Sequence, residues 1–486
     1  MKKESVKKNF IYNILYQILV LILPLITAPY LSRVIGGDSI GIYSYTHAFA
    51  NYFVLFAMLG VNNYGNRSIA RVRDNYDERS RTFWSIYAIQ VILTFVLSIA
   101  YILYIFLIKP DHSIIYFFQI FYVISAGLDI NWFFFGMEKF KITVTRNMLI
   151  KILTTIAIFI FVKSVNDLWL YTLIISAGTL ISQILIWPFL IKNVSIYIPN
   201  LNDIKKHIIP DLKLFIPVIA ISLYNIMDKL MLGYMSTYEE VGYYEYAEKI
   251  AQVPVTIIIA LGTVMMPHVS NLMAKGKLDE CKRLFDKGML FVMFMSFAFT
   301  FGMANLSPDF SIWYYGSHFA RCGLFMVYLS PVIIFKSWAN IVRTQFIMPA
   351  GQDNIYITSV ITGAIVNLCL NAILIPKYAG IGAIVGTIFA EFSVFFVQFW
   401  ETRKQIVFGK YLKYASVFCI IGIIMYISMY FVGKIETGLL ISIVLRFLVG
   451  AFVYCLFAIG YIFHLRKKDV VVNEIIESIK KKLIKQ

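Results

Sequence analysis

The sequence predicts an all-α polytopic membrane protein with about 14 transmembrane helices, and three observations support this class. Hydrophobic residues make up 59% of the 486-residue chain and charged residues only 15%, whereas typical soluble domains are about 25% charged. Mean hydropathy is +0.74. One span needs roughly 20 mostly apolar residues, so this content sets a ceiling near 14 spans. These values exclude a soluble multidomain enzyme and a disordered chain.

Long apolar segments follow one another along the whole chain. The first is too long for the 7–15-residue core of a signal peptide, and no small-x-small cleavage site follows it, so we expect a retained span. The fourteen segments lie at 10–35, 40–62, 82–108, 113–135, 141–162, 167–191, 208–235, 243–273, 284–306, 319–348, 354–375, 379–401, 411–432 and 437–464.

The excess of basic over acidic residues indicates the topology of the chain in the membrane. The chain carries 44 Lys and Arg against 27 Asp and Glu, a net charge of +17. If the N-terminus is cytoplasmic, roughly three quarters of the basic residues fall in the inner connections. Lys139, Lys141 and Arg146 are assigned to one of them. We therefore expect both termini in the cytoplasm and no nucleic-acid partner. The basic tail is expected either to lie on the anionic inner leaflet or to form a solvated helix.

Two short motifs recur in the same order. They are GxYxY, at 41–45 and 242–246, and Gx[ED]xxxIT, at 136–143 and 351–358. Each pair is six predicted helices apart. An even spacing gives both copies the same orientation, which is a parallel repeat about an axis along the membrane normal. We predict two pseudo-symmetric six-helix lobes at 1–200 and 201–405, two further transmembrane helices at 406–465 and a cytoplasmic tail at 466–486. A structural role is expected for Gly41, Tyr43, Gly242 and Tyr244.

Motifs of enzymes and metal sites are missing from the sequence. There is no GxxxxGK[ST], HExxH or GxSxG, and the six histidines lack metal-ligand spacing. The five cysteines form no CxxC pair, so neither a disulfide framework nor a zinc site is expected. We expect no enzymatic activity and no resident cofactor.

Ionisable residues inside spans are the candidates for function, because burying them in a membrane is costly. Asp228 and Lys229 point about 100° apart on a helix and do not readily pair with each other. Lys336 lies near the middle of its span and is therefore a candidate functional cation. The competing interpretation is that it forms a structural salt bridge to Glu391 or Asp228.

Other in-span groups have structural alternatives. Lys249 follows Glu245 at the i,i+4 spacing of a helical ion pair. Arg446 is expected either to extend toward the interface or to pair across the bundle. Amides such as Asn51, Asn225 and Asn340 serve helix association unless they face a cleft. Bends are permitted at the in-span prolines Pro24, Pro29, Pro217, Pro254 and Pro331.

The chain resembles polysaccharide flippases, which export repeat units of O-antigen or capsule. These form the polysaccharide transporter family of the multidrug/oligosaccharidyl-lipid/polysaccharide (MOP) exporter superfamily. The resemblance covers essentially the whole chain and is carried by LPLITAPYLSRVIGGDSIGIYSYTHAFANYF, WFFFGMEKFKITVTRN, MDKLMLGYMSTYEEVGYYEYAEKI and NLCLNAILIPKYAGIGAIVGTIFAE. The last segment occurs in several branches and has Ile384 where a small residue is usual. It therefore specifies fold better than substrate.

The resemblance implies a MATE-like fold (that of multidrug and toxic compound extrusion transporters) and a substrate. That substrate is an undecaprenyl-diphosphate-linked oligosaccharide, flipped outward for capsule, O-antigen or exopolysaccharide synthesis. It also implies a location in the bacterial inner membrane. Membrane lipids, a glycan polymerase and a chain-length regulator are the implied partners, and transport would be coupled to a Na⁺ or H⁺ gradient or the membrane potential. We expect Arg33, Lys229, Lys249 and Lys336 to bind the diphosphate, because cations suit phosphate. Asn51, Asn225 and Asn340 are expected to bind sugar, and Asp228 to couple an ion or orient Lys229.

Other functions are compatible with parts of the sequence. A lipid II flippase or a cation-coupled multidrug exporter would share the fold, although a multidrug exporter favours an acidic cleft. A glycan polymerase or ligase usually presents a sizeable outer loop, and the predicted outer loops here are short. A non-transporting scaffold would not need buried charges.

Overall fold

The computed structural model describes residues 6–466, 472–474 and 477, with side chains from residue 18 onward except those at 224, 225, 261, 263 and 264. Across these described residues the chain is helical and contains no strand. It divides into two compact units, Met1–Gly242 (unit 1) and Tyr243–Gln486 (unit 2). These units are defined by contacts and not by sequence repeats, so the lobe boundaries at 200/201 and 405/406 stay a prediction.

Unit 1 is built from ten helices and the first residues of an eleventh, within the described part of the chain. They are α1 (Val6–Val34), α2 (Gly36–Met58), α3 (Val61–Val72), α4 (Tyr76–Ile108), α5 (Ser113–Leu128), α6 (Asn131–Gly136), α7 (Phe140–Phe161), α8 (Leu168–Ile184), α9 (Trp187–Leu190), α10 (Leu201–Met235) and the start of α11 (Tyr238–Ala274).

Unit 2 continues α11 and adds long, apolar helices. These are α12 (Leu278–Tyr315), α13 (Ala320–Leu329), α14 (Val332–Val342), α15 (Asp353–Tyr378), α16 (Gly380–Thr402), α17 (Gly409–Val432) and α18 (Leu439–Leu465), with a π-helical segment at Arg343–Ile347 and short 3-10 turns at Ser317–Phe319 and, in unit 1, Val165–Asp167.

Each of the fourteen apolar segments coincides with helix, which confirms the all-α membrane class. The count of fourteen spans is not confirmed. Among the described residues, ten helices are long and apolar enough to cross a membrane, or up to twelve if two bent pairs are single spans. Neither α1 nor α2 is among them. In α1 only the 17 residues Ile18–Val34 carry described side chains, which is shorter than the length counted as a span. Many small and polar residues, such as Ser39, Ser44 and Thr46, lower the hydropathy of α2.

The two bent pairs have different local causes. Ser317–Leu329 and Val332–Ile347 meet at 44°, and Pro331 lies at this break. Proline lacks the N–H of the helical ladder, so the bend expected there is present. Leu201–Leu223 and Ile226–Met235 meet at 47°, whereas Pro217 lies inside the first of these two helices. Pro210 lies in the same helix, so the bend in α10 is at neither of its prolines.

Side chains cap the starts of two long helices, α4 and α10. The Asn75 side chain accepts a hydrogen bond from the Glu78 backbone N–H at 3.1 Å, where α4 begins. Asn200 and Asp203 form a reciprocal capping box at the start of α10. These polar side chains satisfy backbone donors that have no partner inside the helix.

The GxYxY glycines allow a close approach between helices. A Cβ at Gly41 would overlap the backbone carbonyl of Tyr238, and a Cβ at Gly242 would overlap the carbonyl of Gly37. The start of α2 therefore packs backbone to backbone against the start of α11 inside unit 1. Glycine is needed at these two positions because any side chain would separate the helices.

Candidate functional site

One face of α2 carries a row of polar and aromatic side chains at four-residue spacing. It consists of Tyr43, His47 and Asn51, none of which is fully buried. The Tyr43 and His47 rings stack at 5.4 Å, and His47 Nδ1 lies 3.3 Å from Gln119 Oε1. The Tyr122 hydroxyl donates to Asn51 Oδ1 at 3.0 Å. Aromatic faces with amide and imidazole groups are suited to binding sugar rings.

The other predicted residues of unit 1 lie on α1 and α10. Arg33 is exposed at the end of α1, and its Nη1 donates to the Pro29 carbonyl at 2.8 Å. Asp228 is 2% exposed and is an electrostatic neighbour of Tyr52 on α2. Lys229 is half-buried. The side chain of Asn225 lies outside the described residues, so its predicted contact with sugar stays a prediction.

The predicted residues of unit 2 are held by carboxylates or by helix packing. Lys336 Nζ on α14 lies 3.3 Å from Glu391 Oε1 on α16, and Glu391 is 2% exposed. This is the salt bridge named as the competing interpretation. Asn340, one turn further along α14, is 5% exposed, and Gly262 leaves room for its amide. Lys336 and Asn340 thus share one face of α14.

Lys249 is also ion-paired. Its Nζ lies 2.9 Å from Glu245 Oε1 on the same helix and 5.1 Å from the centroid of the Tyr246 ring. The i,i+4 pair anticipated from the sequence is therefore formed. The Lys249 side chain is 37% exposed, so its ammonium group still reaches solvent.

Arg146 and Lys141 were counted with an inner connection, but both lie inside α7, as the predicted segment 141–162 has them. Arg146 is 7% exposed. Its Nη2 donates to Asn131 Oδ1 at 2.8 Å and to Asn147 Oδ1 at 2.7 Å, and its Nη1 lies 3.4 Å from Gln183 Oε1. A buried guanidinium needs several acceptors. The amides of three helices supply them here, a grouping that no local sequence pattern reveals.

A basic cluster lies where the connections of unit 1 meet, on the predicted inner side. Arg79 Nε donates to the Asn193 carbonyl at 2.9 Å, and Lys139 donates to the Asn193 side-chain oxygen. Burial, with the nearby Arg79 charge, lowers the pKa of Lys139. Arg73 and Glu138 form an ion pair at 2.6 Å. The cluster therefore joins the connections of unit 1 to one another.

Sequence reasoning missed Gln119 and Tyr122, which complete the polar row on α2. The available signal was the run Tyr116, Gln119 and Tyr122 inside an otherwise apolar segment, with a spacing of three residues. Among the described residues, no group of three or more His, Cys, Asp or Glu side chains could hold a metal ion.

Comparison with known proteins identifies the family. A family model described as polysaccharide biosynthesis protein matches residues 6–273. The chain belongs to this family. A relative named putative O-antigen transporter, from Escherichia coli K12, is 22% identical over 397 residues, which cover 80% of this chain and 94% of the relative. Another, from Haloferax volcanii, is named probable low-salt glycan biosynthesis flippase Agl15; it is 23% identical and covers 34% of each chain.

Solved structures share the fold. The lipid II flippase MurJ in an inward closed conformation matches with a TM-score of 0.73 at 15% identity, over 94% of this chain and 99% of that one. An inward-facing MATE family transporter of the MOP superfamily matches with a TM-score of 0.60 at 12% identity, over 79% and 94%. These likenesses establish fold alone. With the family match they confirm the resemblance and the MATE-like fold of a multi-pass membrane protein.

Proposed function

We propose that this protein flips undecaprenyl-diphosphate-linked oligosaccharides from the cytoplasmic to the outer leaflet by alternating access, for capsule, O-antigen or exopolysaccharide synthesis. The family match carries this proposal, together with near full-length similarity to proteins named O-antigen transporters. The chain would act as a transporter with no catalytic residues. The polar row of α2 supports the carbohydrate part, because it joins aromatic faces to amides.

The diphosphate would be bound by exchange of ionic partners. Arg33, Lys229, Lys249 and Lys336 are the proposed cations. Lys336 and Lys249 each already hold a carboxylate, so they would release it when a diphosphate, with more charge and more acceptor oxygens, arrives. Such exchange keeps each lysine paired throughout the cycle and avoids the cost of a lone buried charge.

Asn51, Asn225 and Asn340 are the proposed sugar contacts. We assign Asp228 to coupling with Na⁺ or H⁺ or to orienting Lys229, because a buried carboxylate in a span is costly unless it binds a cation or proton. Both termini would be cytoplasmic. A glycan polymerase and a chain-length regulator are the proposed partners on the product side.

The similarity to MurJ favours a second candidate, flipping of lipid II. It rests on fold and on a match covering 29% of this chain to the lipid II flippase MurJ of Bacillus subtilis. The two candidates differ in headgroup: a neutral or acidic oligosaccharide in one case and a peptide-bearing disaccharide in the other. A multidrug exporter of the same fold would need neither a diphosphate nor a sugar site.

Reconstitution tests the proposal directly. Proteoliposomes would receive a labelled undecaprenyl-diphosphate oligosaccharide or labelled lipid II, and headgroup accessibility would report translocation. We expect the oligosaccharide lipid to be moved and lipid II to remain. Transport of lipid II alone would instead support the second candidate, and transport of neither would refute both.

Variants assign the residues in the same assay. Lys336→Met should lower the transport rate more than tenfold, since a diphosphate at membrane depth loses a charged partner. Asn51→Ala should lower it less, by the loss of one hydrogen-bonding group. Lys434→Met, at an exposed lysine of unit 2, is the matched control and should leave transport unchanged. Normal transport by the Lys336 variant would remove Lys336 from the site.

A further inference from the structure

Unit 2 contains a cavity of about 690 Å³ that the proposed transport cycle does not use. It lies where the end of α11, the start of α12, the π-helical segment and the α16–α17 connection meet. All of these elements adjoin predicted inner connections, so the cavity lies at the predicted inner interface of the membrane. Its size is within the range of about 300–1,000 Å³ found for ligand pockets.

The cavity has an apolar wall and a charged rim. Phe285 and Ile406 are buried on the wall. Lys282 and Lys410 are the charged side chains among the described lining residues, and Lys282 is exposed. Lys410 Nζ lies 2.6 Å from Asp286 Oδ2, so its charge is shared with that carboxylate. Lysines bordering apolar surface at a membrane interface are placed to bind lipid phosphate.

Exposed apolar side chains lie beside the charged rim of the cavity. Leu278 is 63% exposed and Val407 is 67% exposed, and both line the cavity. An acyl chain emerging from the cavity would cover them, as bilayer hydrocarbon covers exposed apolar residues on spans. A small soluble anion would leave this apolar mouth uncovered, so the lining favours an amphiphile.

The side-chain oxygen of one buried amide in the cavity lining lacks a hydrogen-bond partner. Gln345 lies in the π-helical segment and is 1% exposed, and its Oε1 has no hydrogen-bond partner. Its Nε2 lies 3.3 Å from the Met265 sulfur, which is a weak acceptor. Gly288 leaves the space that the amide occupies, since a Cβ there would lie 2.7 Å from Oε1. A buried carbonyl oxygen without a donor is costly, and π-helical turns are frequent at functional sites.

We propose that this cavity binds an anionic glycerophospholipid, such as phosphatidylglycerol. Its phosphate would lie at Lys282 and Lys410, and an acyl chain would lie along the apolar wall. The transport substrate fits less well, because a multi-sugar headgroup in so apolar a lining would lose many hydrogen bonds. The C-terminal segment pairs through Glu474 with Arg283 and Lys287, and none of its described residues is among the lining residues of the cavity. This inference does not depend on the proposed function.

Native mass spectrometry of the purified full-length protein would test the site, with phosphatidylglycerol and phosphatidylcholine as probes. We expect phosphatidylglycerol adducts to survive at energies that strip phosphatidylcholine. Ala350→Trp, which fills the cavity, should reduce phosphatidylglycerol binding at least tenfold. Ala451→Trp, on an exposed position of α18, is its control. Lys282→Ala should weaken binding by about two- to fivefold, as expected for an exposed charge, while the exposed Lys275→Ala should not.

Photo-crosslinking keeps the test independent of variants that fail to fold. A photoactivatable phosphatidylglycerol added to the wild-type protein should label peptides from 270–285 or 345–350. Equal retention of both lipids, or labelling confined to other helices, would overturn the proposal. So would unchanged binding in the Ala350 variant, or displacement of the lipid by undecaprenyl diphosphate at equal concentration, which would assign the cavity to substrate.

Discussion

The two units satisfy their buried cations by different chemistry. In unit 1, Arg146 donates hydrogen bonds to the amide oxygens of Asn131, Asn147 and Gln183, which lie on three helices, and the buried Asp129 carboxylate also interacts with its charge. In unit 2, each of three cations meets a carboxylate on another helix. These pairs are Lys336 with Glu391, Lys410 with Asp286, and Arg446 with Asp309.

This difference determines which substitutions each unit should tolerate. Amide oxygens share one charge among several partners, so losing one acceptor leaves the others in place. In unit 2 a carboxylate supplies the opposite charge, and although Arg446 also donates to the Ser442 and Asn305 carbonyls, removing the carboxylate leaves the cation without a counter-charge in a low-dielectric surrounding. The ion pairs also join specific helices, α14 to α16, α17 to α12 and α18 to α12. Unit 2 is therefore expected to be more sensitive to single carboxylate changes than unit 1 is to single amide changes.

The largest effect is expected at Glu391. Glu391→Gln removes the carboxylate of Lys336 and should lower the free energy of unfolding by about 3 kcal/mol, because the carboxylate is buried and the lysine largely so. Thermal unfolding of the detergent-solubilised protein would measure it. Glu401→Gln, at an exposed position of the same helix, is the control. A loss below about 1 kcal/mol would contradict the comparison.

A smaller effect is expected at Asn147 in unit 1. Asn147→Ala removes one acceptor from Arg146 but leaves Asn131 and Gln183, so the loss should be about 1.5 kcal/mol. The same unfolding assay applies, with the exposed Asn63→Ala as control. If this variant were as destabilised as Glu391→Gln, the amides would not be sharing the charge.

The smallest effect is expected at the surface ion pairs of Glu474. Its carboxylate accepts from Lys287 Nζ at 2.9 Å and Arg283 Nη1 at 3.2 Å. The hydrogen bond from Lys287 lowers the Glu474 pKa below its ordinary value. A lowered folded-state pKa means that this stabilisation is present above the ordinary pKa near 4.5 and disappears as pH falls through the lower folded value.

Glu474→Gln removes the carboxylate charge at neutral pH. It should therefore have the same effect as protonation of Glu474 at low pH in the wild type. We expect trypsin to cleave the C-terminal tail about two- to threefold faster in this variant, the range for an exposed pair. Glu436→Gln, an exposed glutamate of the α17–α18 connection, provides the comparison. Release of a fluorescently labelled wild-type tail already at pH 6 would show that the carboxylate does not hold it.

Much of the fold was predictable because membrane-spanning helices can be recognised from residues that are close together in the sequence. Each apolar segment became helix, and Pro331 marks a real bend, because both features depend on residues close in sequence. The amphipathic helix α3 was missed. Its buried Val61, Gly65 and Ile69 alternate with exposed arginines, so it lacks the long apolar run that identifies a span.

The site was only partly predictable. The spacing of Tyr43, His47 and Asn51 was visible in the sequence, whereas their neighbours Gln119 and Tyr122 come from α5 and required the packed helices. Lys141 and Arg146 were counted with a loop, although the predicted segment 141–162 includes them, because charge counting assigns cations near a span boundary to the adjacent connection. A buried position supported by distant amides cannot be recognised from a hydropathy pattern.

The sequence by itself determined the membrane class, the positions of the helices and the family, because hydrophobicity and short motifs are local properties. Tertiary structure decided which charges meet. Lys336 had two candidate carboxylates and lies beside Glu391, and Arg446 pairs with Asp309, 137 residues earlier in the chain. Such pairs depend on the rotation and neighbours of whole helices, which are fixed by packing between segments far apart in sequence.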